Sequence, residues 1–212
     1  MLGCWAIWEA RNKWIFENVQ AREEGVVRRV RELGAELQNQ NDCFRGGGCN
    51  NGEEDDRGKG KLFVERVGGG ETYTQRGWMR PPEGMVKINV DAGVKEGVGT
   101  GLGAVCRDEH GEVLWCVTSQ CREVSDPSSA EAMAILLGLE EARRRGCAHI
   151  MMESDCFNVV EALKQRKKGR SDLYLILDDI LHLCSSFRFV EWSFVRRAFN
   201  LVAHELAHVE SR

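Results

Sequence analysis

Met85-Val86-Lys87-Ile88-Asn89-Val90-Asp91-Ala92-Gly93 is the stretch on which the reading of this chain turns. Val86, Ile88 and Val90 alternate with Lys87, Asn89 and Asp91, which is the period of a β-strand. Alternation puts the three aliphatic side chains on one face and sends Asp91 to the other. A carboxylate well inside a sheet is costly unless it is paired or binds a cation. The question for the rest of the chain is what meets Asp91.

Downstream, Gly99 to Arg107 and Val113 to Gln120 read as two more strands, joined by the hairpin-like turn Asp108-Glu109-His110-Gly111. Ser128 to Arg145 reads as a helix, started by Asp126-Pro127-Ser128 and stopped by Gly146. Arg143-Arg144-Arg145 suits the negative end of its dipole. His149 to Ser154 is a short strand, Phe157 to Lys164 a short helix and Ser171 to Cys184 a third helix. Phe187 to Val195 is a strand, and Asn200 to Glu210 a closing helix. The order β-β-β-α-β-α-α-β-α predicts an α/β fold, a mixed sheet with helices on its faces.

Upstream, Pro81-Pro82-Glu83-Gly84 is a turn. Residues 41–77 carry Gly46-Gly47-Gly48, Gly52-Glu53-Glu54-Asp55-Asp56 and Gly68-Gly69-Gly70, too little apolar surface to offset the entropy of ordering. They read as a flexible linker with a short ordered piece at Leu62-Phe63-Val64. Residues 1–40 read as helical: Val26, Val30, Leu33 and Leu37 form a seam, and Trp5, Trp8, Ile15, Phe16 and Val19 an apolar side. That face is too apolar to stand alone and implies a protein partner. Three segments result: 1–40, 41–77 and a domain at 78–212.

The 29 basic and 33 acidic residues give a net charge of −4, so any nucleic-acid contact must come from a local patch. The run Lys164-Gln165-Arg166-Lys167-Lys168-Gly169-Arg170 is the candidate; a solvated charged loop is the plain alternative. The first residues lack the basic and apolar regions of a signal peptide. No run reaches the ~18 apolar residues of a membrane span. The nine cysteines are scattered, with Cys106, Cys116 and Cys147 in or beside apolar stretches. An intracellular, reducing compartment is expected. Cys43 and Cys49 have no nearby histidine and make a poor zinc site.

Two acids can join Asp91. Glu131 opens the Ser128 helix above the stripe Ala134, Ile135, Gly138 and Ala142, whose small members let it lie close to the sheet. Asp155 ends the His149 strand, and ligands of α/β sheets collect at the carboxyl ends of strands. Singly, each acid has an ordinary explanation: Asp155 as a cap of the Phe157 helix, Glu131 as a first-turn acid favoured by the dipole. Together they would repel unless they held hard divalent cations such as Mg²⁺ or Mn²⁺.

Asn89-Val90-Asp91-Ala92-Gly93, Ala130-Glu131-Ala132, Glu153-Ser154-Asp155-Cys156 and Asn200-Leu201-Val202-Ala203-His204-Glu205-Leu206-Ala207 resemble, in order, the motifs of ribonuclease H. They look closest to the plant RNase H-like domains related to non-LTR retrotransposon reverse transcriptases, over residues 78–212. Trp5-Ala6-Ile7-Trp8 and Arg11-Asn12 to Ile15-Phe16 are similar to the segment upstream of such domains, which implies a retroelement-derived remnant. The resemblance implies a five-stranded sheet of order 3-2-1-4-5 and two divalent ions held by Asp91, Glu131, Asp155 and His204. It implies hydrolysis of the RNA strand of an RNA–DNA hybrid to 5′-phosphate and 3′-hydroxyl ends. Lys164, Arg166, Lys167, Lys168 and Arg170 would bind the hybrid. The chain departs from the family twice: His204 stands where a fourth acid is usual, and Arg196-Arg197-Ala198-Phe199 lacks a mobile histidine.

Two rival readings remain. His204-Glu205-Leu206-Ala207-His208 also spells the zinc-protease pattern H-E-x-x-H, but only Val209 to Arg212 follow, and no downstream third ligand is present. A retrotransposon-derived module that binds nucleic acid or a partner without cutting is the other.

Overall fold

The computed structural model describes residues 78–95, 99–121, 124 and 126–208, with the backbone of two strands upstream, β1 (Leu62–Val67) and β2 (Gly70–Gln75). The helical reading of residues 1–40 and the Cys43/Cys49 pair lie outside the described residues. β1 and β2 pair antiparallel from Leu62↔Gln75 to Val67↔Gly70. A hairpin therefore starts at the Leu62-Phe63-Val64 piece and runs on within the segment read as linker.

The main sheet contains β3 (Val86–Lys95), β4 (Gly99–Arg107), β5 (Val113–Cys121), β6 (His149–Ser154) and β7 (Phe189–Phe194), in the order β5-β4-β3-β6-β7. Counted along the chain this is the expected 3-2-1-4-5. β4 runs antiparallel to both β3 and β5, while β6 and β7 run parallel to β3. Helices α1 (Pro127–Arg144), α2 (Phe157–Lys164), α3 (Asp172–Leu183) and α4 (Leu201–His208) complete the domain. No described helix is long and apolar enough to cross a membrane.

The aliphatic face of β3 builds the larger core. Ile88 and Val90 are fully buried with Ile135, Leu139 and Met152 beneath α1. The small stripe on α1 sets its distance from the sheet: a Cβ on Gly138 would stand 3.1 Å from Val90 Cγ1. Asp126 caps the helix, accepting from the Ser129 amide at 3.0 Å and its hydroxyl at 2.6 Å. With Pro127 as first residue, Glu131 falls in the second helical turn, and the first turn carries no acid. The dipole therefore gives no account of Glu131, contrary to the first-turn placement expected from the pattern.

α4 covers the opposite face. Val202, Ala203 and Leu206 pack on Val105 in a second, smaller cluster. Close approach depends on glycine in β4, because a Cβ on Gly103 would meet Ala203 O and Ala207 N at 2.6 Å. The polar residues of β3 are thus roofed over. Lys87, Asn89 and Asp91 are each at most 2% exposed.

Candidate metal centre

β3 and β6 pair in parallel up to Val90↔Ser154, so the residues that follow, Asp91 and Asp155, stand level on adjoining strands. α1 brings Glu131 to them from the side, where it accepts a hydrogen bond from Ser154 Oγ at 3.3 Å. One carboxylate oxygen from each of Asp91, Glu131 and Asp155 lies within 4.8 Å of the others. Asp155 is not a cap: Cys156 holds the N-cap position of α2 and no side chain bonds there.

Burial decides the electrostatics. Asp91 is 1% exposed and its Oδ1 has no hydrogen-bond partner. Burial first, and the neighbouring Asp155 second, push its pKa up to about 8. Glu131 is also pushed up to about 8, by burial and then by Asp91 and Asp155. Crowded carboxylates with an unsatisfied buried oxygen are a donor set for a hard divalent cation, which would remove both costs.

His204 arrives on α4, with Nδ1 2.8 Å from Asp91 Oδ2. An ion pair would lower the Asp91 pKa and raise that of His204. Both move the other way, His204 being lowered by burial and then by Arg197.

A buried polar network holds α4 in register. Asn200, just before the helix, donates to Val90 O at 2.8 Å and accepts from Asn89 Nδ2 at 3.3 Å. Asn89 Nδ2 also donates to Glu153 Oε2 at 2.9 Å, and Lys87 Nζ pairs with Glu153 Oε1 at 2.6 Å. Trp78 Nε1 donates to Asn89 Oδ1 at 3.0 Å. Alternation had marked Lys87 and Asn89 only as polar; nothing local says that a helix from the end of the domain will cover them.

Arg197 and His208 also reach the site. The guanidinium of Arg197 has Nη2 3.0 and 3.1 Å from the two ring nitrogens of His204, and Nη1 3.9 Å from Asp155 Oδ2. Equal approach to both ring nitrogens places it over the imidazole face. It comes from the loop where a mobile histidine was missed. His208 joins Asp91 and His204 in a second group whose ligand atoms lie within 4.8 Å of one another. The H-E-x-x-H pattern therefore does meet a third donor, upstream. Its only signal in the sequence was that pattern, whose third partner could not be found by spacing.

The basic run starts at Lys164, the last residue of α2, and continues along the loop to α3. Lys164, Arg166, Lys167, Lys168 and Arg170 are all exposed, and Lys164 pairs with Glu161 at 3.4 Å.

The family model described as reverse transcriptase-like matches residues 89–209. A search of curated proteins finds no match. Among solved structures, the N-terminal RNase H domain of a Mycobacterium tuberculosis protein is 27% identical, with a TM-score of 0.53 over 59% of this chain and 91% of that one. RNase H1 from the archaeon Halobacterium salinarum is 20% identical, with a TM-score of 0.56 over 60% and 99%. LC11-RNase H1, isolated from compost and solved in complex with an RNA/DNA hybrid, is 21% identical, with a TM-score of 0.54 over 58% and 94%. These last two share the fold. With its five-stranded RNase H-like sheet, and with Asp91, Glu131, Asp155 and both histidines inside the matched residues, the chain belongs to the reverse transcriptase-like family.

Proposed function

We propose that the domain is a metal-dependent ribonuclease that cuts the RNA strand of an RNA–DNA hybrid, leaving 5′-phosphate and 3′-hydroxyl ends. One observation carries this: three carboxylates from separate elements converge within 4.8 Å at a buried Asp91, one of whose oxygens has no partner. That geometry fits Mg²⁺ or Mn²⁺, and two such ions when bound supply an activated water and charge neutralisation at the scissile phosphate.

The residues divide the work. Asp91, central and held by its strand, would hold the cations together with the other acids. Glu131 and Asp155 flank it, and His204 takes the place of the fourth acid. Asn200 and Asn89 fix α4, and with it the His204 ring, over the sheet. Arg197 lies where it can face a phosphate once cations occupy the acids. Lys164, Arg166, Lys167, Lys168 and Arg170 form an exposed rail for the backbone of the hybrid. RNA would be told from DNA through its 2′-hydroxyls. The wider reading, a plant non-LTR-retrotransposon descendant with a partner-binding helical segment at 1–40 and a linker at 41–77, rests on the motifs quoted above.

Labelled hybrid incubated with Mg²⁺, then with Mn²⁺, tests the proposal. Cleavage of the RNA strand, lost in Asp91→Asn, is the expected result. Hybrid that is bound but intact under both ions would replace the enzyme with the non-cutting module.

A further inference from the structure

The acids do not exhaust the ligands around Asp91. His204 and His208 are one helical turn apart on the face of α4 that lies on β3, their ring centroids 4.2 Å apart. His208 Nδ1 is 2.7 Å from the His204 carbonyl oxygen. A carbonyl only accepts, so Nδ1 carries the proton and Nε2 keeps its lone pair. This is the orienting bond that metal-ligating histidines commonly make. Room for the ring comes from β3, where a Cβ on Gly93 would stand 2.7 Å from His208 Cε1 and Nε2.

We propose that Asp91, His204 and His208 form a second cation site, one oxygen and two imidazole nitrogens, that selects a borderline first-row dication such as Zn²⁺ over Mg²⁺. Carboxylate sets suit Mg²⁺ and Mn²⁺, whereas imidazole suits zinc and its neighbours. Ligand atoms about 2.0–2.2 Å from a shared ion stand roughly 3 to 3.5 Å apart. Here the three lie within 4.8 Å, and the Asp91–His204 pair is already at 2.8 Å. The Asp91 carboxylate that both groups share is 1% exposed, with Oδ2 at His204 and Oδ1 unpartnered. Three protein ligands and an open position are the arrangement of a reactive rather than a structural zinc site. Arg197 opposes occupancy, since its guanidinium lies on the His204 ring. That side chain is 63% exposed.

The site shares Asp91 and His204 with the proposed nuclease centre and is set apart from it by His208, and its test uses protein alone. Metal-stripped full chain is titrated with Co²⁺ and followed by visible absorption. The wild type gains the spectrum of a nitrogen-containing, low-symmetry site, displaced by Zn²⁺ and not by Mg²⁺. His208→Ala weakens Co²⁺ binding by at least the roughly tenfold that even outer partners of a ligand are worth. Arg197→Ala tightens it, and Glu131→Gln keeps the spectrum. In the unaltered protein, nitrogen-resolved NMR shows Zn²⁺ shifting His208 Nε2. A His208→Ala protein with wild-type spectrum and affinity, or a His208 resonance that Zn²⁺ does not move, overturns the site. Failure of hybrid cleavage with Mg²⁺ would leave these readings standing, and the converse holds too.

Discussion

The two faces of the central sheet are built on opposite principles. Under α1 the face is aliphatic and closed, Ile88 and Val90 against Ile135 and Leu139, all fully buried. Under α4 it is equally buried but polar, with Lys87, Asn89, Asp91, Glu153 and Asn200 at 3% exposure or less. The first face gains free energy by leaving water. The second spends it, and recovers the cost only where every group finds a partner. Lys87, Asn89, Glu153 and Asn200 do find partners; Asp91 Oδ1 does not. A buried carboxylate oxygen left unpaired beside these satisfied groups marks where a cation belongs.

The sharpest way to break this contrast is Asp91→Asn. Hybrid cleavage should fall by roughly 10²–10³-fold or more, the scale set by losing one preorganised charge-stabilising group. Metal-free stability should rise at the same time, most clearly above pH about 8, because the crowded charge is gone. An activity assay beside thermal melts in chelator checks both, and a variant that loses stability along with activity would make Asp91 structural.

Glu153→Ala comes next. It strands the Lys87 ammonium, a loss of about 3–5 kcal/mol for one partner of a buried pair. Urea unfolding measures it. A loss below about 0.5 kcal/mol, the scale of an ordinary surface substitution, would mean that the polar face is solvated. Ile135→Ala on the opposite face should cost about 2–5 kcal/mol by leaving a cavity. Cation affinity per folded molecule, from calorimetric titration, should not change with it.

The pH dependence follows from the same crowded acids. Asp91 and Glu131 sit near 8 in the folded chain against ordinary values of 3.8 and 4.5. The folded chain therefore holds protons that the unfolded chain releases. That contribution is whole below the ordinary values, declines as pH rises and is gone once pH passes about 8. Metal-free melting temperatures should fall over this window, and added Mn²⁺ should restore them increasingly toward its upper end. The smallest effect is expected in the basic loop. Lys167→Ala with Lys168→Ala should leave melting unchanged and lower the salt slope of hybrid binding by about 0.7–0.9 for each phosphate no longer neutralised.

The aliphatic face was legible because periodicity is local: Val86, Ile88 and Val90 declare it within five residues, and the small residues Ala134 and Gly138 declare the helix that fits it. The motif order carried the sheet order, and named Asp91, Glu131, Asp155 and His204 as the residues to look for. The polar face was not legible. Whether Lys87 or Asn89 meets water depends on α4, and the Asn200 bonds to Val90 and Asn89 span 110 and 111 residues. Arg197 and His208 escaped for the same reason. Arg197 read as the absence of a histidine, and His208 belonged to a pattern whose third member lay far upstream.

The described part of α4 is eight residues, a length that does not persist in water by itself. Its hold on the sheet is the small cluster around Val105 and the bonds of Asn200. Were it to unlatch as a unit, it would take both imidazoles with it while the α1 side stays shut. Any ion bridging Asp91 to the helix would act as a clasp, so that amide exchange along residues 201–208 becomes a gauge of occupancy.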